Sequence, residues 1–334
     1  MRVLWKNGFD SIIFKTIQEP AVVNDRQVKI KVNYAMLGEL DYNTAKSKMY
    51  KDYIPGYEMT GTIVDLGSDA KRVGFHVGDR VTSIPVLYCG VCENCRRGKY
   101  NCCVSMSENE GTLSEYIVRD YTQLFKVPSS FSNIMGCSIW PVAEALEAIE
   151  QSRIKINSTV LLLGYGFSSM LLTQLAKKSL TKLLVIVSDS GFGKETALKL
   201  GADKFVDCSN LLDAQRLLLQ DTNFLGFDSV LVVADNQDLE WRFQGFAKSG
   251  GIFCFLAFKR LNYGISIGRK GILSNPITLV SSYLSNNKVP TAIDIIPKLV
   301  LDELIDQEFP FKSADVAYAQ LMTHPYNKYG IIFD

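Results

Sequence analysis

The sequence contains no long apolar run, no excess of charge and no apolar leader. Its longest apolar stretches, such as Val160–Gly164 and Gly251–Phe258, fall far short of the roughly 18 residues needed to cross a bilayer. Lysine and arginine number 36 against 35 aspartate and glutamate, so no net field favours nucleic acid or an anionic membrane. The stretch Met1–Gly8 lacks the apolar core of a secretory signal. These absences predict a soluble, cytoplasmic protein that binds neither nucleic acid nor membranes.

The composition is that of an ordinary globular chain. Hydrophobic residues make up 47% and charged residues 21% of the 334 residues, which excludes a disordered or fibrous protein. At roughly 100–200 residues per domain, this length predicts about two domains. Neither an internal repeat nor a low-complexity linker interrupts the sequence.

The hydrophobic pattern changes along the chain. In the first third, short segments such as Val28–Val32 alternate between apolar and polar residues, and glycine and proline separate them, which predicts a β-rich domain. From Thr159, short apolar strands alternate with helical stretches, which is typical of a parallel sheet covered on both faces. The last strand of that series is expected at Ser249–Phe258, and a terminal strand at Tyr329–Phe333. The pattern therefore predicts an α/β protein.

The eight cysteines do not indicate a disulfide scaffold, because the chain is neither short nor visibly secreted. Three of them, Cys137, Cys208 and Cys254, lie in apolar stretches and are expected to be small buried side chains. The other five fall within residues 89–103, and this cluster needs its own explanation.

Four cysteines of the cluster have the spacing C-x2-C-x2-C-x7-C: Cys89, Cys92, Cys95 and Cys103. Four thiolates in one loop suit a closed tetrahedral zinc site, which braces the loop and leaves no open position for chemistry. Cys102 could compete for the fourth position, but the spacing favours Cys103. We expect one structural zinc ion per chain.

A glycine turn follows the apolar strand Val160–Leu163 and precedes a helical stretch. Gly164 and Gly166 permit a tight turn and the close approach of a pyrophosphate to the helix N-terminus, whose free N–H groups bind anions. Ser169 stands where the usual third glycine would be, so the fingerprint is incomplete and depends on its strand–turn–helix context. The turn predicts a dinucleotide cofactor.

The residues after the next strand bear on the choice of cofactor. An acidic side chain at the strand end would accept from both ribose hydroxyls of NAD and repel a 2′-phosphate. Ser188 and Ser190, with Lys194 nearby, would instead accommodate the phosphate of NADP. Asp189 leaves NAD as an alternative, because an alignment shifted by one residue would place its carboxylate at the position of the ribose-binding acid. The sequence favours NADP(H) over NAD(H).

With these motifs, the chain resembles the medium-chain dehydrogenase/reductases of the zinc alcohol dehydrogenase superfamily over essentially its whole length. The residues that carry the resemblance are Pro55–Gly61, Val77–Val81, the four-cysteine lobe at Cys89–Cys103, Gly111–Tyr116, the glycine turn Gly164–Gly166 and Leu200–Asp203. The stretch Ser188–Glu195 is similar to the NADP-preferring cinnamyl alcohol dehydrogenase branch. Counted back from Gly201, Ser188 occupies the position of the acid in NAD-dependent members.

The resemblance implies a domain organisation and an assembly. It implies a GroES-like, mostly β catalytic domain over 1–128 with the four-cysteine lobe at 89–103, and a Rossmann NAD(P)-binding domain over 129–260. Segment 261–334 is expected to return to the catalytic domain. The same resemblance implies a small-molecule substrate and a homodimer.

The chain departs from this family at its catalytic zinc. The family supplies a Cys, a His and a Cys or Glu, and the matching positions here hold Gly38, Tyr57 and Trp140. The hydroxyl and the histidine of the family's proton relay match Leu40 and Asn43. The only two histidines, His76 and His324, match no ligand position.

Glu58 and Asp41 remain near these positions, but two carboxylates without nitrogen or sulfur partners make a poor zinc site. Without metal polarisation, hydride transfer stays feasible to an acceptor that is already electrophilic, such as an iminium, a quinone or an activated C=C. Tyr57 is the first candidate for the proton donor, and Glu58, Asp41 and Tyr42 are reserves.

With these departures, the sequence leaves three interpretations of function. In the first, the protein is an NADP(H)-dependent oxidoreductase that reduces an activated acceptor without a catalytic zinc ion. In the second, Tyr57 and Trp140 merely fill the space of the metal, and the protein is a catalytically silent nucleotide-binding or scaffold protein. A conventional zinc alcohol dehydrogenase is the less favoured third reading.

Overall fold

A computed structural model describes most of the chain. It covers residues 1–8, 11–46, 52–109, 111–188, 191–208, 211–233, 244–256, 276–285 and 287–334, and for residues 211–215 and 244 it describes the backbone alone. The predicted phosphate-loop residue Ser190 and its neighbour Asp189 lie outside the described residues.

Short strands dominate the first part of the chain, as the alternating pattern predicts. In the longest of them, Gln27–Leu37, side chains at every second position are fully buried over the first half of the strand, because successive residues point to opposite faces of a sheet. The strands are β1 (Arg2–Asn7), β2 (Ser11–Thr16), β3 (Gln27–Leu37), β4 (Asp52–Tyr53), β5 (Glu58–Leu66), β6 (Arg80–Ser83), β7 (Val86–Leu87), β8 (Ser107–Glu108), β9 (Tyr116–Asp120) and β10 (Leu124–Lys126). The helices are α1 (Glu39–Lys46), α2 (Ser68–Arg72), α3 (Glu93–Arg96) and α4 (Asn133–Cys137).

Strands and helices alternate in the middle of the chain, and a mixed segment ends it. The middle elements are α5 (Ile139–Gln151), β11 (Thr159–Leu163), α6 (Phe167–Lys178), β12 (Leu183–Ser188), α7 (Lys194–Lys199), β13 (Lys204–Asp207), α8 (Leu211–Gln220), β14 (Phe227–Val232), β15 (Ala247–Leu256) and β16 (Thr278–Ser282). The final elements are α9 (Val289–Ile295), β17 (Gln307–Pro310), α10 (Ala314–Thr323) and β18 (Tyr329–Ile332).

The chain forms two compact units. The first unit contains Met1–Trp140 together with Val289–Asp334, and the second contains Pro141–Lys288. The functional domain bounds at 1–128, 129–260 and 261–334 stay a prediction.

The first unit is built mainly from antiparallel strands. Its largest sheet has the order β10-β6-β5-β3-β18-β17, with β9 also paired to β3. The terminal strand β18 runs antiparallel to β3 and parallel to β17. Tyr329 lies opposite Leu37 in this register, so the chain end is fixed beside the loop that leads into α1.

The second unit is a parallel sheet with the order β13-β12-β11-β14-β15-β16. The order reverses at β11, which is the doubly wound arrangement that places ligands beyond the carboxyl ends of the strands. Strands β11, β12 and β14 are almost wholly buried, as expected for a sheet covered on both faces. Together, the two units confirm the predicted α/β class.

One expectation about this sheet is wrong. Ser249–Phe258 was expected to contain the last strand, and the described part of it does lie in β15, but β16 pairs with β15 and forms the edge of the sheet. The sequence pattern does not reveal strand β16, because its first four side chains are alternately half-buried and exposed and only the polar Ser282 at its end is buried. The strand therefore has no continuous apolar run.

Candidate active site, cofactor turn and metal centre

Four cysteine sulfurs come together in the four-cysteine lobe. The Sγ atoms of Cys89, Cys92, Cys95 and Cys103 all lie within 4.8 Å of one another. Thiolates that bind one zinc ion at about 2.3 Å are about 3.8 Å apart in a tetrahedron, so this spacing suits a single ion. Cys102 is exposed and does not belong to the group of four.

Backbone N–H groups stabilise thiolates in the lobe. The N–H of Cys89 donates to Sγ of Cys103 at 3.3 Å, and the N–H of Cys92 donates to Sγ of Cys89 at 3.4 Å. The N–H groups of Cys95 and Val104 lower the pKa of Cys92 to about 6. Burial raises the pKa of Cys95 to about 12, so the thiolate form of Cys95 needs a cation beside it. This donor set fits a thiolate-bound metal ion.

The three positions that match zinc ligands in the resembling family lie in the first unit. Gly38 precedes α1, Tyr57 precedes β5, and Trp140 is the second residue of α5. Tyr57 is 2% and Trp140 3% exposed. The indole N–H of Trp140 has no hydrogen-bond partner among the described residues.

The hydroxyl of Tyr57 is held by a hydrogen bond. It lies 2.9 Å from Oγ1 of Thr44, a buried residue of α1, and either oxygen can donate. Thr44 adjoins Asn43, which matches the relay histidine of the resembling family, yet the sequence analysis did not single it out. The sequence gives little indication of a role for Thr44, because the hydroxyl of a threonine in a helix usually forms a hydrogen bond only with the backbone of that helix.

Glu58 forms a buried ion pair with Lys328. The ammonium Nζ lies 2.8 Å from Oε1 and 2.7 Å from Oε2 of the carboxylate. The two side chains are 10% and 6% exposed. Burial raises the pKa of Glu58, and the charge of Lys328 opposes that rise.

The sequence analysis missed Lys328, which lies 270 positions from Glu58 in the chain. Lys328 immediately precedes β18, whose Tyr329 pairs with Leu37. Continued by one residue, that register sets Lys328 opposite Gly38. A lysine directly before a buried terminal strand is the signal that could have drawn attention to it.

Asp41 joins the two loops that carry Gly38 and Tyr57. Its Oδ2 accepts from the N–H of Gly38 at 3.1 Å, and its Oδ1 accepts from the N–H of Gly56 at 2.9 Å. Burial raises the pKa of Asp41 to about 7, against the opposing charge of Lys328. With both oxygens accepting from the backbone, Asp41 is placed to position these loops.

The glycine turn of the second unit links β11 to α6. Gly164 has a φ of 111°, a backbone conformation that residues other than glycine rarely adopt. The N–H of Gly166 donates to Oγ of Ser169 at 2.9 Å, and that hydroxyl lies 2.9 Å from the carbonyl of Gly166. Ser169 therefore closes the turn internally at the start of a twelve-residue helix.

The residues predicted to bind the ribose phosphate differ in exposure. Ser188 ends β12 and is 1% exposed, and its carbonyl accepts from the N–H of Cys208 at 2.8 Å. Lys194 is exposed and is the first residue of α7. Of these two residues, only Lys194 has an exposed side chain, and its charged end faces the solvent.

An aromatic side chain joins the glycine turn to the loop before α7. A Cβ atom placed on Gly193 would lie 1.9 Å from the ring of Tyr165, so only glycine fits there. Tyr165 also meets Phe192 edge to face, with ring centroids 5.4 Å apart. The sequence analysis did not single out Tyr165, although a large aromatic residue between two glycines was the available signal.

No helix among the described residues has both the length and the apolar character needed to span a lipid bilayer.

Comparison with known proteins gives relatives for both units. Residues 24–129 match the family model of the alcohol dehydrogenase GroES-like domain, which confirms the GroES-like part of the fold. The chain is 25% identical over 257 residues to sorbitol dehydrogenase of Bacillus subtilis, a match that covers 75% of this chain and 72% of that protein. Other curated sorbitol and threonine dehydrogenases are matched over 46–61% of their own length.

Solved structures match the fold over nearly the whole chain. A Sinorhizobium meliloti protein, named provisionally as a zinc-binding dehydrogenase and bound to NADP, has a TM-score of 0.86 and 21% identity, covering 99% of this chain and 98% of its own. An Escherichia coli alcohol dehydrogenase with NADH also has a TM-score of 0.86, with 22% identity and coverages of 100% and 99%. At such identities the likeness concerns the fold, and these two structures hold different nicotinamide cofactors.

Proposed function

Because the chain belongs to the medium-chain dehydrogenase/reductase superfamily of the zinc-containing alcohol dehydrogenases, we propose that it is an oxidoreductase that reduces an activated small-molecule acceptor without a catalytic zinc ion. Its fold and family are those of alcohol and polyol dehydrogenases. The observation that carries the proposal is the replacement of the three ligand positions by Gly38, Tyr57 and Trp140. Glycine and tryptophan offer no metal ligand, and a neutral tyrosine hydroxyl is a weak one.

The nicotinamide cofactor supplies a hydride when it is bound, and the chain's own residues do the rest. Tyr57 is the proton donor of the proposal, because its hydroxyl is held by Thr44 at 2.9 Å and can pass a proton without a metal. Glu58 is committed to Lys328, and Asp41 to two backbone N–H groups. These two carboxylates therefore position the site.

For the cofactor, the proposal favours NADP(H) over NAD(H). Lys194 supports this choice, because it is exposed at the start of α7 beside the loop that follows β12. A lysine there can pair with a 2′-phosphate as a charge-assisted hydrogen bond. Ser188 is a weaker support than the sequence alone indicates, since its side chain is buried.

For the metal, the proposal assigns one structural zinc ion to the four-cysteine lobe. Cys89, Cys92, Cys95 and Cys103 would hold it, and a closed set of four thiolates leaves no position for a substrate. The zinc would therefore brace the lobe and take no part in hydride transfer.

A cofactor-oxidation assay with a panel of acceptors tests the function. Purified protein is mixed with NADPH and with quinones, enones and iminium ions, alongside simple ketones, and the loss of NADPH absorbance is recorded. We expect oxidation with the electron-poor acceptors and little with simple ketones, since no metal polarises the carbonyl. Oxidation of simple alcohols or reduction of ketones that depends on a second zinc ion would contradict the proposal.

The second candidate function is a catalytically silent nucleotide-binding protein. The near-complete burial of Tyr57 and Trp140 favours it, because both rings could serve only to fill the space of the lost ligands. In the same assay, such a protein would bind NADPH, measured by fluorescence quenching, without turnover of any acceptor.

A further inference from the structure

We propose that a cavity in the first unit binds a small aromatic carboxylate, at a site separate from the candidate active site. The cavity has a volume of about 230 Å³, which exceeds the roughly 150 Å³ of an apolar cavity that holds benzene. None of its described lining residues belongs to the candidate active site or the glycine turn. They come from β1, β3, the start of β9, the turn before α10 and the residues after β18: Arg2, Lys31, Val32, Glu115, Tyr116, Phe311, Lys312, Phe333 and Asp334.

One wall of the cavity is aromatic. The rings of Phe311 and Phe333 stack with their centroids 4.3 Å apart, and both side chains are buried. Phe14 meets Phe311 edge to face, with ring centroids 5.6 Å apart, which holds the stacked pair in place. Apolar area removed from water against such a wall contributes to binding, so the wall favours a ligand with a planar, apolar body.

Three cations border the cavity, and none of them pairs with a carboxylate of the described residues. The guanidinium of Arg2 lies over the ring of Phe14, 4.9 Å from its centroid. Lys31 is half-buried and Lys312 is exposed, and neither ammonium group has a hydrogen-bond or ion-pair partner in the part of the chain that the structure describes. Because a partly buried charge without a partner is unfavourable, these groups favour an anionic ligand.

Two carboxylates also border the cavity and limit the charge of the ligand. Oε2 of Glu115 accepts from the backbone N–H of Arg2 at 2.7 Å, and Asp334 is exposed. Three cations against two carboxylates leave one positive charge in excess, which suits a monoanion better than a dianionic phosphate. A carboxylate is a planar monoanion and matches the fork of a guanidinium. Together with the aromatic wall, this charge balance indicates an aromatic carboxylate.

Titration calorimetry with three probes tests the chemistry of the ligand. Benzoate carries both the ring and the charge, benzyl alcohol carries the ring alone, and inorganic phosphate carries the charge alone. We expect benzoate to bind at one site per chain, about 10-fold more tightly than either of the other probes. Absence of benzoate binding, or a benzoate affinity no greater than that for benzyl alcohol or phosphate, would overturn the proposal.

Two substitutions with opposite expected effects locate the site. Lys31→Gln removes a cation from the cavity and should weaken the binding of benzoate by about 10-fold. Asp334→Asn removes a carboxylate that repels the ligand and should strengthen the binding by about 2-fold to 5-fold. An unchanged affinity in Lys31→Gln, or weaker binding in Asp334→Asn, rules out this cavity as the site.

Lys71→Gln is the matched control, because Lys71 is an exposed lysine of the same unit that does not line the cavity. Its affinity for benzoate should equal that of the parent protein, and a loss equal to that in Lys31→Gln would attribute the effect to net charge and overturn the proposal. If Lys31→Gln does not fold, Lys312→Gln on the exposed rim should weaken the binding by about 2-fold to 5-fold. The titrations contain neither cofactor nor acceptor, so their result is independent of the proposed oxidoreductase function.

Discussion

At the scale of single residues, the hydroxyl of Tyr57 carries the chemistry of the proposal. Tyr57→Phe keeps the ring that fills the space and removes only the hydroxyl bonded to Thr44. We expect turnover of an activated acceptor to fall by about 10²–10⁴-fold, the usual contribution of a positioned acid. The affinity for NADPH should not change, and both quantities can be measured by acceptor kinetics and fluorescence titration.

Tyr53 provides the matched control for that substitution. It is a buried tyrosine of the same unit, whose hydroxyl lies 3.4 Å from the hydroxyl of Tyr318. Tyr53→Phe also removes one buried hydroxyl, but we expect it to leave the chemical step nearly unchanged. Equal rates in Tyr57→Phe and the parent protein would assign Tyr57 to packing and transfer the donor role to Tyr42, Glu58 or water.

Asp41 gives a pH dependence of stability. Burial raises its pKa from 3.8 to about 7, so the native state binds its proton more tightly than the unfolded chain does. Its contribution to stability is complete below about pH 4, declines as the pH rises towards 7, and stays lost above that. We expect the free energy of unfolding to decrease over this range.

Asp41→Asn tests that dependence by urea unfolding at several pH values. The amide accepts one of the two backbone N–H bonds and leaves the other unmade, at a cost of about 1–3 kcal/mol at every pH. The variant should have a lower free energy of unfolding than the parent protein, and that free energy should change less between pH 4 and 7. A slope equal to that of the parent protein would assign the pH dependence to other groups, including Glu58.

The residues of the candidate site differ in how far the sequence reveals them. The four-cysteine motif is local, so its spacing alone separates Cys103 from Cys102, and the structure brings the same four sulfurs together. The Glu58–Lys328 pair joins residues 270 positions apart, and no local spacing encodes it. It depends on the register of β18 against β3, which follows only from the folded sheet.

At the scale of elements, the four-cysteine lobe gives a direct prediction. Cys103→Ser removes one thiolate from the group of four, and we expect zinc content to fall well below one ion per chain. Cys102→Ser alters the adjacent exposed cysteine and should leave zinc content unchanged. Elemental analysis of both variants, prepared without chelator, measures the difference. Equal loss of zinc in the two variants would show that the fourth ligand is misassigned.

The start of α7 gives the second prediction at this scale. Lys194→Gln removes an exposed charge from the loop that follows β12, and we expect the affinity for NADPH to fall by about 10-fold. The affinity for NADH should not change, because NADH has no 2′-phosphate. Lys178→Gln, at the exposed C-terminal end of α6, is the control. A parent protein that binds NADH more tightly than NADPH would reverse the proposed preference.

Strands that are buried on both faces could be predicted from the sequence, whereas a partly exposed strand could not. The central strands of the second unit read as continuous apolar runs, because neighbours cover both faces. The edge strand β16 exposes part of its side chains, including 37% of Leu279. It therefore has no such run, and the end of the sheet was wrongly placed.

At the scale of the whole molecule, the homodimer stays a prediction, and the edge strand β16 gives it a location. Within the described residues, β16 pairs only with β15, so its other edge carries N–H and C=O groups that a second copy could pair. Light scattering coupled to gel filtration should give twice the mass of 37.3 kDa.

A charge on this edge strand should separate the two copies. Leu279→Lys places a cation on β16, a substitution that opposes pairing between edge strands, and we expect it to yield the monomer mass. Leu217→Lys on α8 is the control, because Leu217 is similarly exposed, at 46%, but lies on a helix. A monomer mass for the parent protein would show that the predicted dimer does not form. A dimer mass for Leu279→Lys would show that the dimer interface does not include the edge of β16.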